Sequence, residues 1–558
     1  MQTAHALPPA QPSIFHQLSA EEILSQMSLE EKAGQLFISF FWGKTLSDDT
    51  KQFLHRSKLG NVIYFAWSNG LENPEQIAAL SKEVQDTIVK ATKIPPIIST
   101  DQEGGIVQRL QNGFTRFPGN MALGATNDPM LAYETGKVLA KELTSVGINF
   151  NLAPVVDVQI HNLHPWYMGI RTYGTNPSHV IHFAKEQIRG MTEKGLLYVL
   201  KHAPGLGGVA VNPHLALPTC DKSLEQLESC EFAPFRHFLD APAMMTAHVI
   251  FSALDPKTPA SLSYEVTTNL IRKAWGYEGV IMTDSLSMNA VLQDTSTFER
   301  AVESVKQAAI KAIQAGADCI ILGRLEWAAF SPTEKQDEEV IEKAIQGIVE
   351  NVQNGVLSEE RINDSVLRLI KMKQKLSQNT SISSFTPNDK LSAEIAQKSL
   401  TLLSSPSLLS AIGTGFKAKK ICVIAPKDIE NTMREMLKER AITADTLFFE
   451  QTSLQDPSVR EKIKISAAQS ELTLFFSYNA TNFSLQKTLM KELARETSPQ
   501  RLLFVGLRNP YDLLGEELHL THNTFLTYSP TKYSLESVFK ALEEETIPSG
   551  KIPFSITE

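Results

Sequence analysis

The stretch LLYVLKHAPG, residues 196–205, holds five apolar positions in a row and then changes, at Lys201 and His202, to charge followed by a Pro-Gly pair. A strand buried on both faces has this character. Its side chains are almost all apolar, with no in-out alternation, and polar groups begin where the chain leaves the sheet.

Seven more runs of this kind lie on either side of it: LFISFF (core 37–41), NVIYFAW (61–67), IPPIISTD (94–101), INFNLAPVVDV (148–158), PAMMTAHVIF (242–251), GVIMTDSL (279–286) and ADCIILG (317–323). Between most of them lies a segment with apolar residues three and four apart, such as EQIAALSKEVQDTIV, PMLAYETGKVLAKELTSVG, HVIHFAKEQIRGMTEKG and AVESVKQAAIKAIQAG. Eight strand-helix units over roughly 300 residues predict an α/β fold of the (β/α)8 barrel kind, with a doubly wound sheet as the alternative. The first, second and sixth units are irregular. Ahead of the first strand, Ser28 and Glu31 of SLEEKAGQLF have capping-box spacing.

After SEERINDSVLRLIKMKQKL comes the polar stretch QNTSISSFTPNDKL, which reads as a linker. A second strand series then begins with KKICVIAP, DTLFFE, ELTLFFSYN, RLLFVGLRNP and NTFLTYSP. The expected organisation is a disordered tail at 1–20, a barrel at 21–380, a linker at 381–394 and a smaller α/β domain at 395–558.

Of the 558 residues, 53 are Lys or Arg and 62 are Asp or Glu, a net charge of −9 that argues against nucleic acid as a partner. Four scattered cysteines (Cys220, Cys230, Cys319, Cys422), with no CxxC pair, suggest neither a disulfide framework nor zinc. MQTAHALPPAQPSIFHQL has no signal-peptide pattern, and no segment has the length of apolar chain that a membrane span needs. A cytoplasmic protein with no membrane span is expected.

A barrel places its chemistry at the C-terminal ends of the strands. There the runs end in Asp101, in Asp157, in Lys201 with His202, in His248 and in Asp284. Each of these alone has a structural reading, as a helix N-cap or a satisfied core histidine. Five such strand ends at one rim imply groups that pair with each other or meet a polar ligand, because unpaired buried charge costs several kcal/mol per group.

The following loop, PGLGGVAVNPHLALP, formally matches a dinucleotide motif at Gly205, Gly207 and Ala210, but Pro213 and Pro218 deny it the helix that must follow. It has no GK[ST] for a P-loop, and His202 with His214 lacks the spacing of a metal site. What remains is a loop freed by its glycines to carry His214 over a barrel mouth.

KHAPGLGG followed by NPHLALP, together with DQEGGIVQRL (101–110) and IMTDSLSM (281–288), resembles the family 3 glycoside hydrolases, and within them the bacterial β-N-acetylglucosaminidase branch that trims peptidoglycan fragments. SLEEKAGQLF, INFNLAPVVDV, IRTYG (170–174) and MTAHVIF with PASLS extend the match, in family order, over about residues 25–375.

The resemblance implies a TIM barrel followed by an α/β sandwich and a retaining mechanism with no metal or organic cofactor. It implies Asp284 as nucleophile and His214 as general acid/base, with Asn212 orienting His214. The sugar-binding set it implies is Asp101, Arg109, Arg171, Lys201 and His202. The implied substrate is a small oligosaccharide or muropeptide.

These residue types suit the chemistry. A carboxylate can attack a centre with oxocarbenium character and leave it again, and an imidazole can give and take a proton near neutrality. The chain also departs from the family pattern. PGHGDT reads PGLGGV, placing Leu206, Gly208 and Val209 where histidine, aspartate and threonine usually stand, and Ile106 replaces an arginine. The aspartate of the family's DSH triplet is Asn212, followed by Pro213. Asparagine can orient His214 but gives it no charge, which implies weaker acid catalysis. A β-glycoside phosphorylase, a catalytically impaired sugar-binding homologue and another kind of barrel enzyme are the competing readings.

Overall fold

Each of the eight apolar runs holds a strand in the computed structural model, which describes residues 14–159, 168–209, 211–325, 331–376, 384–404, 412–514 and 521–554. The strands are β1 (Phe37–Ser39), β2 (Asn61–Ile63), β3 (Ile97–Thr100), β4 (Phe150–Asn151), β5 (Leu197–Tyr198), β6 (Leu200–Ala203), β7 (Ala243–Thr246), β8 (Val280–Ser285) and β9 (Cys319–Leu322). They form one parallel sheet in the order β5-β4-β3-β2-β1-β9-β8-β7-β6. β5 and β6 are two pieces of the same apolar run, separated only by Val199, and they stand at opposite ends of that order. The fifth run therefore closes the sheet into a barrel, helped by a parallel bridge between Val155 and Lys201.

The connecting helices start where the sequence says they should. Asn73, Asp128 and Asn176 each accept a backbone N–H at a helix N-terminus and are each followed by proline in the first turn. The Ser28–Glu31 capping box is present as read. Helices Pro129–Ser145 and Pro177–Thr192 touch through reciprocal glycines. A β-carbon on Gly136 would lie 2.1 Å from the Gln187 carbonyl, and one on Gly190 would lie 2.1 Å from that of Tyr133.

The sequence reading and the structure differ in three places. The run 242–251 is not one strand, because β7 stops at Thr246 and Ile250–Phe251 pairs instead with Thr219–Cys220. Of the tail expected at 1–20, residues 1–13 lie outside the described residues, while Ile14–Gln17 is a helical turn with Phe15 buried. The Phe15 and Leu18 carbonyls accept from Gln374, which fastens this turn to the barrel's last helix. Residues 381–383 of the expected linker also lie outside the described residues, and from Asp389 the segment is a helix, Asp389–Ser399, capped by Asn388.

The second unit is a sheet of β10 (Thr401–Leu402), β11 (Ile421–Pro426), β12 (Ala444–Phe449), β13 (Leu472–Ser477), β14 (Leu502–Gly506) and β15 (Asn523–Leu526), in the order β10-β15-β14-β13-β11-β12. Only the β10–β15 pair is antiparallel. Asn388 and Ser392 of the junction helix donate to Thr115 Oγ1 and to the Arg116 carbonyl of the barrel. The Lys551 N–H donates to the Ala125 carbonyl, and the Thr175 N–H donates to that of Pro553.

Candidate active site

The strand ends converge on a cavity of about 340 Å³ at the barrel mouth. Its floor is an ionic network. Beyond β3, Gln102–Gly104 pairs antiparallel with Val107–Gln108, and the turn between them passes through Gly104 and Gly105 at positive φ. This hairpin turns Asp101 and Glu103 toward the end of β6, where Lys201 Nζ lies 2.8 Å from Asp101 Oδ1 and 2.7 Å from Glu103 Oε1. Arg171, on the short turn Gly169–Arg171, donates from Nε and Nη2 to the two Glu103 oxygens at 2.9 and 2.8 Å.

Glu103 is buried, with 1 % of its side chain exposed, and burial alone would raise its pKa. Arg171 and Lys201 reverse that and hold the carboxyl far below its ordinary value of 4.5. Burial and Arg171 would lower Lys201, but Asp101 and then Glu103 raise it above its ordinary value. Arg109 is held more loosely. Its Nη2 is 3.6 Å from Asp101 Oδ2, and its guanidinium lies 5.7 Å from the Phe65 ring, which is itself stacked on Trp67.

Next to the floor is a group of histidines. Asp157 at the end of the fourth run fixes His202. One of its oxygens contacts His202 Nδ1 at 2.7 Å and the His202 N–H at 3.1 Å, and the other accepts from the Leu206 N–H. His248 is buried, with Nδ1 2.7 Å from Ser261 Oγ and Nε2 2.9 Å from the Ser285 carbonyl. Asp284, on β8, accepts from the Ser285 N–H at 2.7 Å. Burial would push Asp284 upward, but His202, His248 and His214 together hold it below its ordinary value, so it is ionised near neutrality. Burial likewise lowers His248, although Asp284 opposes it.

His214 reaches this cavity from an exposed stretch in which Val211 is 44 % and Leu215 is 50 % exposed. Asn212 is buried, and its Oδ1 accepts the His214 backbone N–H at 3.1 Å, so it holds the main chain of His214. The glycines of the loop have a role the sequence did not suggest. A β-carbon on Gly207 would lie 1.8 Å from the Val158 carbonyl, and one on Gly208 would lie 2.4 Å from Glu231 Oε1. Gly205, at positive φ, faces the Glu231 side chain in the same way. These glycines permit close packing of the loop root onto the barrel rather than freedom of movement. Buried Glu231 also meets Lys222 at 2.7 Å, on the far side of His214 in sequence.

Of the expected site residues, Asp101, Arg109, Arg171, Lys201, His202, Asn212, His214 and Asp284 all line the cavity. Asp157 and His248 stand behind it as supports. Glu103, Phe65, Glu231 and Arg508 were missed. Strand-end logic marks Arg508 too, since it follows the apolar run LLFVGL in the second unit. Among the described residues, no group of three or more His, Cys, Asp or Glu side chains is arranged to hold a metal ion.

The chain is similar to several known proteins. β-Hexosaminidase A of Pseudoalteromonas piscicida is 30 % identical over 391 residues, which are 65 % of this chain and 62 % of that protein. A β-hexosaminidase of Alkalilimnicola ehrlichii is 35 % identical over 288 residues, covering 50 % of this chain and 78 % of its own. A solved family 3 β-N-acetylglucosaminidase from Paenibacillus sp. str. FPU-7 superposes with a TM-score of 0.81 at 31 % identity, over 95 % of this chain and 99 % of that one. The model of the glycosyl hydrolase family 3 N-terminal domain matches residues 28–372, the segment that builds the barrel and nearly all of its cavity, and the chain therefore belongs to glycoside hydrolase family 3.

Proposed function

We propose that the chain is a retaining exo-β-N-acetylglucosaminidase that removes terminal N-acetylglucosamine from peptidoglycan fragments. The observation that carries this reading is the pairing, in one cavity, of an ionised Asp284 among three imidazoles with a preassembled charged floor. In the first step the Asp284 carboxylate forms a bond to the anomeric carbon as the glycosidic bond breaks, and protonated His214 gives its proton to the departing oxygen. In the second step neutral His214 takes a proton from water, the water oxygen bonds to the anomeric carbon, and Asp284 leaves as carboxylate.

Asp101, Arg109, Arg171, Lys201 and His202 hold the hydroxyls of the terminal sugar through charge-assisted hydrogen bonds. A cavity at the small end of the ligand-pocket range suits one sugar unit, hence exo action. Names of relatives support the N-acetylhexosamine preference, and four free cysteines suit a reducing, cytoplasmic compartment. Among the described residues no helix is long and apolar enough to cross a membrane.

The test is trapping with 5-fluoro-N-acetylglucosaminyl fluoride and peptide mapping by mass spectrometry. The label is expected on Asp284, and a label on any other residue, or none at all, overturns the assignment. Asp284→Ala is expected to lose about 10⁴-fold or more in kcat.

A further inference from the structure

Arg508 follows β14 in the second unit, yet it lines the barrel cavity together with Asp101, Arg109, Lys201, His214 and Asp284. Its backbone is pinned on both sides. The Leu507 N–H donates to the Ser477 carbonyl at 3.1 Å, the Leu507 carbonyl accepts from Thr527 Oγ1 at 3.1 Å, and Asn509 Oδ1 accepts from the Tyr511 N–H at 3.0 Å. Its side chain is set by Tyr478, which accepts from Arg508 Nη1 at 3.1 Å while the guanidinium lies 5.5 Å from the ring centroid. The guanidinium is thus positioned before any ligand arrives, so little freedom is lost on binding.

The charged floor belongs to the barrel and grips the terminal sugar, and the cavity has room for one sugar unit. Arg508 lines that same cavity but comes from the second unit, not from the barrel strand ends that carry the sugar-binding set. We propose that Arg508 is an anion-binding residue on the leaving-group side, taking the paired oxygens of either a carboxylate carried by the aglycone or a free phosphate. This rests on the glycosidase reading above and gives the second unit a part in substrate choice. If phosphate is the ligand, its oxygen bonds to the anomeric carbon as the Asp284 ester bond breaks. Hydrogen phosphate keeps its proton, so sugar 1-phosphate and the Asp284 carboxylate are the products.

The test compares wild type with Arg508→Ala and Arg508→Lys on N-acetylglucosaminyl-N-acetylmuramic acid, on its methyl ester, and on either substrate with added inorganic phosphate. If a carboxylate is read, Arg508→Ala loses about tenfold or more in kcat/KM on the acid relative to the ester, and Arg508→Lys loses less. If phosphate is read, wild type releases sugar 1-phosphate and Arg508→Ala does so at least about tenfold more weakly. Equal losses on acid and ester with no phosphate response overturn the proposal. Should Arg508→Ala fold poorly, Arg508→Gln is read in its place by the same acid-to-ester and phosphate comparisons, beside two checks on wild type. A preference for acid over ester that shrinks with rising salt, or a phosphate response, supports the proposal, and the absence of both overturns it. Labelling of Asp284 by the fluorosugar separates failure of this inference from failure of the glycosidase reading.

Discussion

The floor of the cavity and the loop that carries His214 are joined at Lys201, 13 positions before His214, and are built in opposite ways. Lys201, Arg171, Glu103 and Asp101 are tied together by contacts of 2.7–2.9 Å, with Lys201 and Glu103 almost wholly buried. Nine residues past Gly205, His214 is exposed on a stretch that also leaves Val211 and Leu215 in solvent. The difference divides the labour. On the proposed mechanism, the group that recognises the sugar is assembled before binding, and the group that moves protons sits where a substrate, a leaving group and then water can each reach it.

The comparison breaks most sharply at His214. Replacement by alanine is expected to cost about 10² to 10⁴ in kcat on saccharide leaving groups, with a much smaller loss on aryl glycosides that depart without a proton. Similar losses on both classes would show that His214 supports the site rather than protonating the leaving oxygen. Added azide is expected to restore part of the aryl activity, read as the glycosyl azide product.

At the floor, Glu103→Gln leaves buried Arg171 without its counter-charge and leaves Lys201 with Asp101 alone. It is expected to destabilise the fold by about 3–5 kcal/mol in urea unfolding near pH 7. Because the folded carboxyl lies below its ordinary value of 4.5, its contribution is fully present above that pH and is lost as pH falls through the folded value. The gap between wild type and variant therefore narrows below about pH 4.5, by about 1.4 kcal/mol per pH unit. A gap independent of pH would mean that Glu103 acts through packing.

The smallest effect is expected where the two regions meet. Asn212→Asp keeps an oxygen for the His214 N–H and adds only charge. Turnover of poorly activated glycosides is expected to rise by up to about tenfold, and that of aryl glycosides less. No change on either would show that the carboxamide acts only as a cap on the loop backbone.

How much of this was legible in the sequence follows the same division. Apolar runs and strand-end polar residues are local, so all eight barrel runs and the residues Asp101, Lys201, His202 and Asp284 could be read directly. Glu103 could not, because what makes it important is Arg171, 68 residues away, and Lys201 on a different strand. Gly207 and Gly208 looked like hinge residues because their neighbours in space, Val158 and Glu231, are distant along the chain. β10 was missed because two residues carry no periodicity and their partner, β15, lies more than 100 positions further on. Arg508 carries the same local signal, but only the fold brings the end of β14 to the barrel cavity.

The three imidazoles around Asp284 carry a consequence for timing. Each favours the carboxylate's negative charge, and that charge in turn favours the protonated form of His248 against the lowering effect of its burial. On the proposed mechanism, esterification of Asp284 removes that charge at the moment the duty of His214 changes from acid to base. Hydrolysis of the ester restores the charge. The field at His248 thus rises and falls with the state of Asp284, with no conformational signal needed between the two half-reactions.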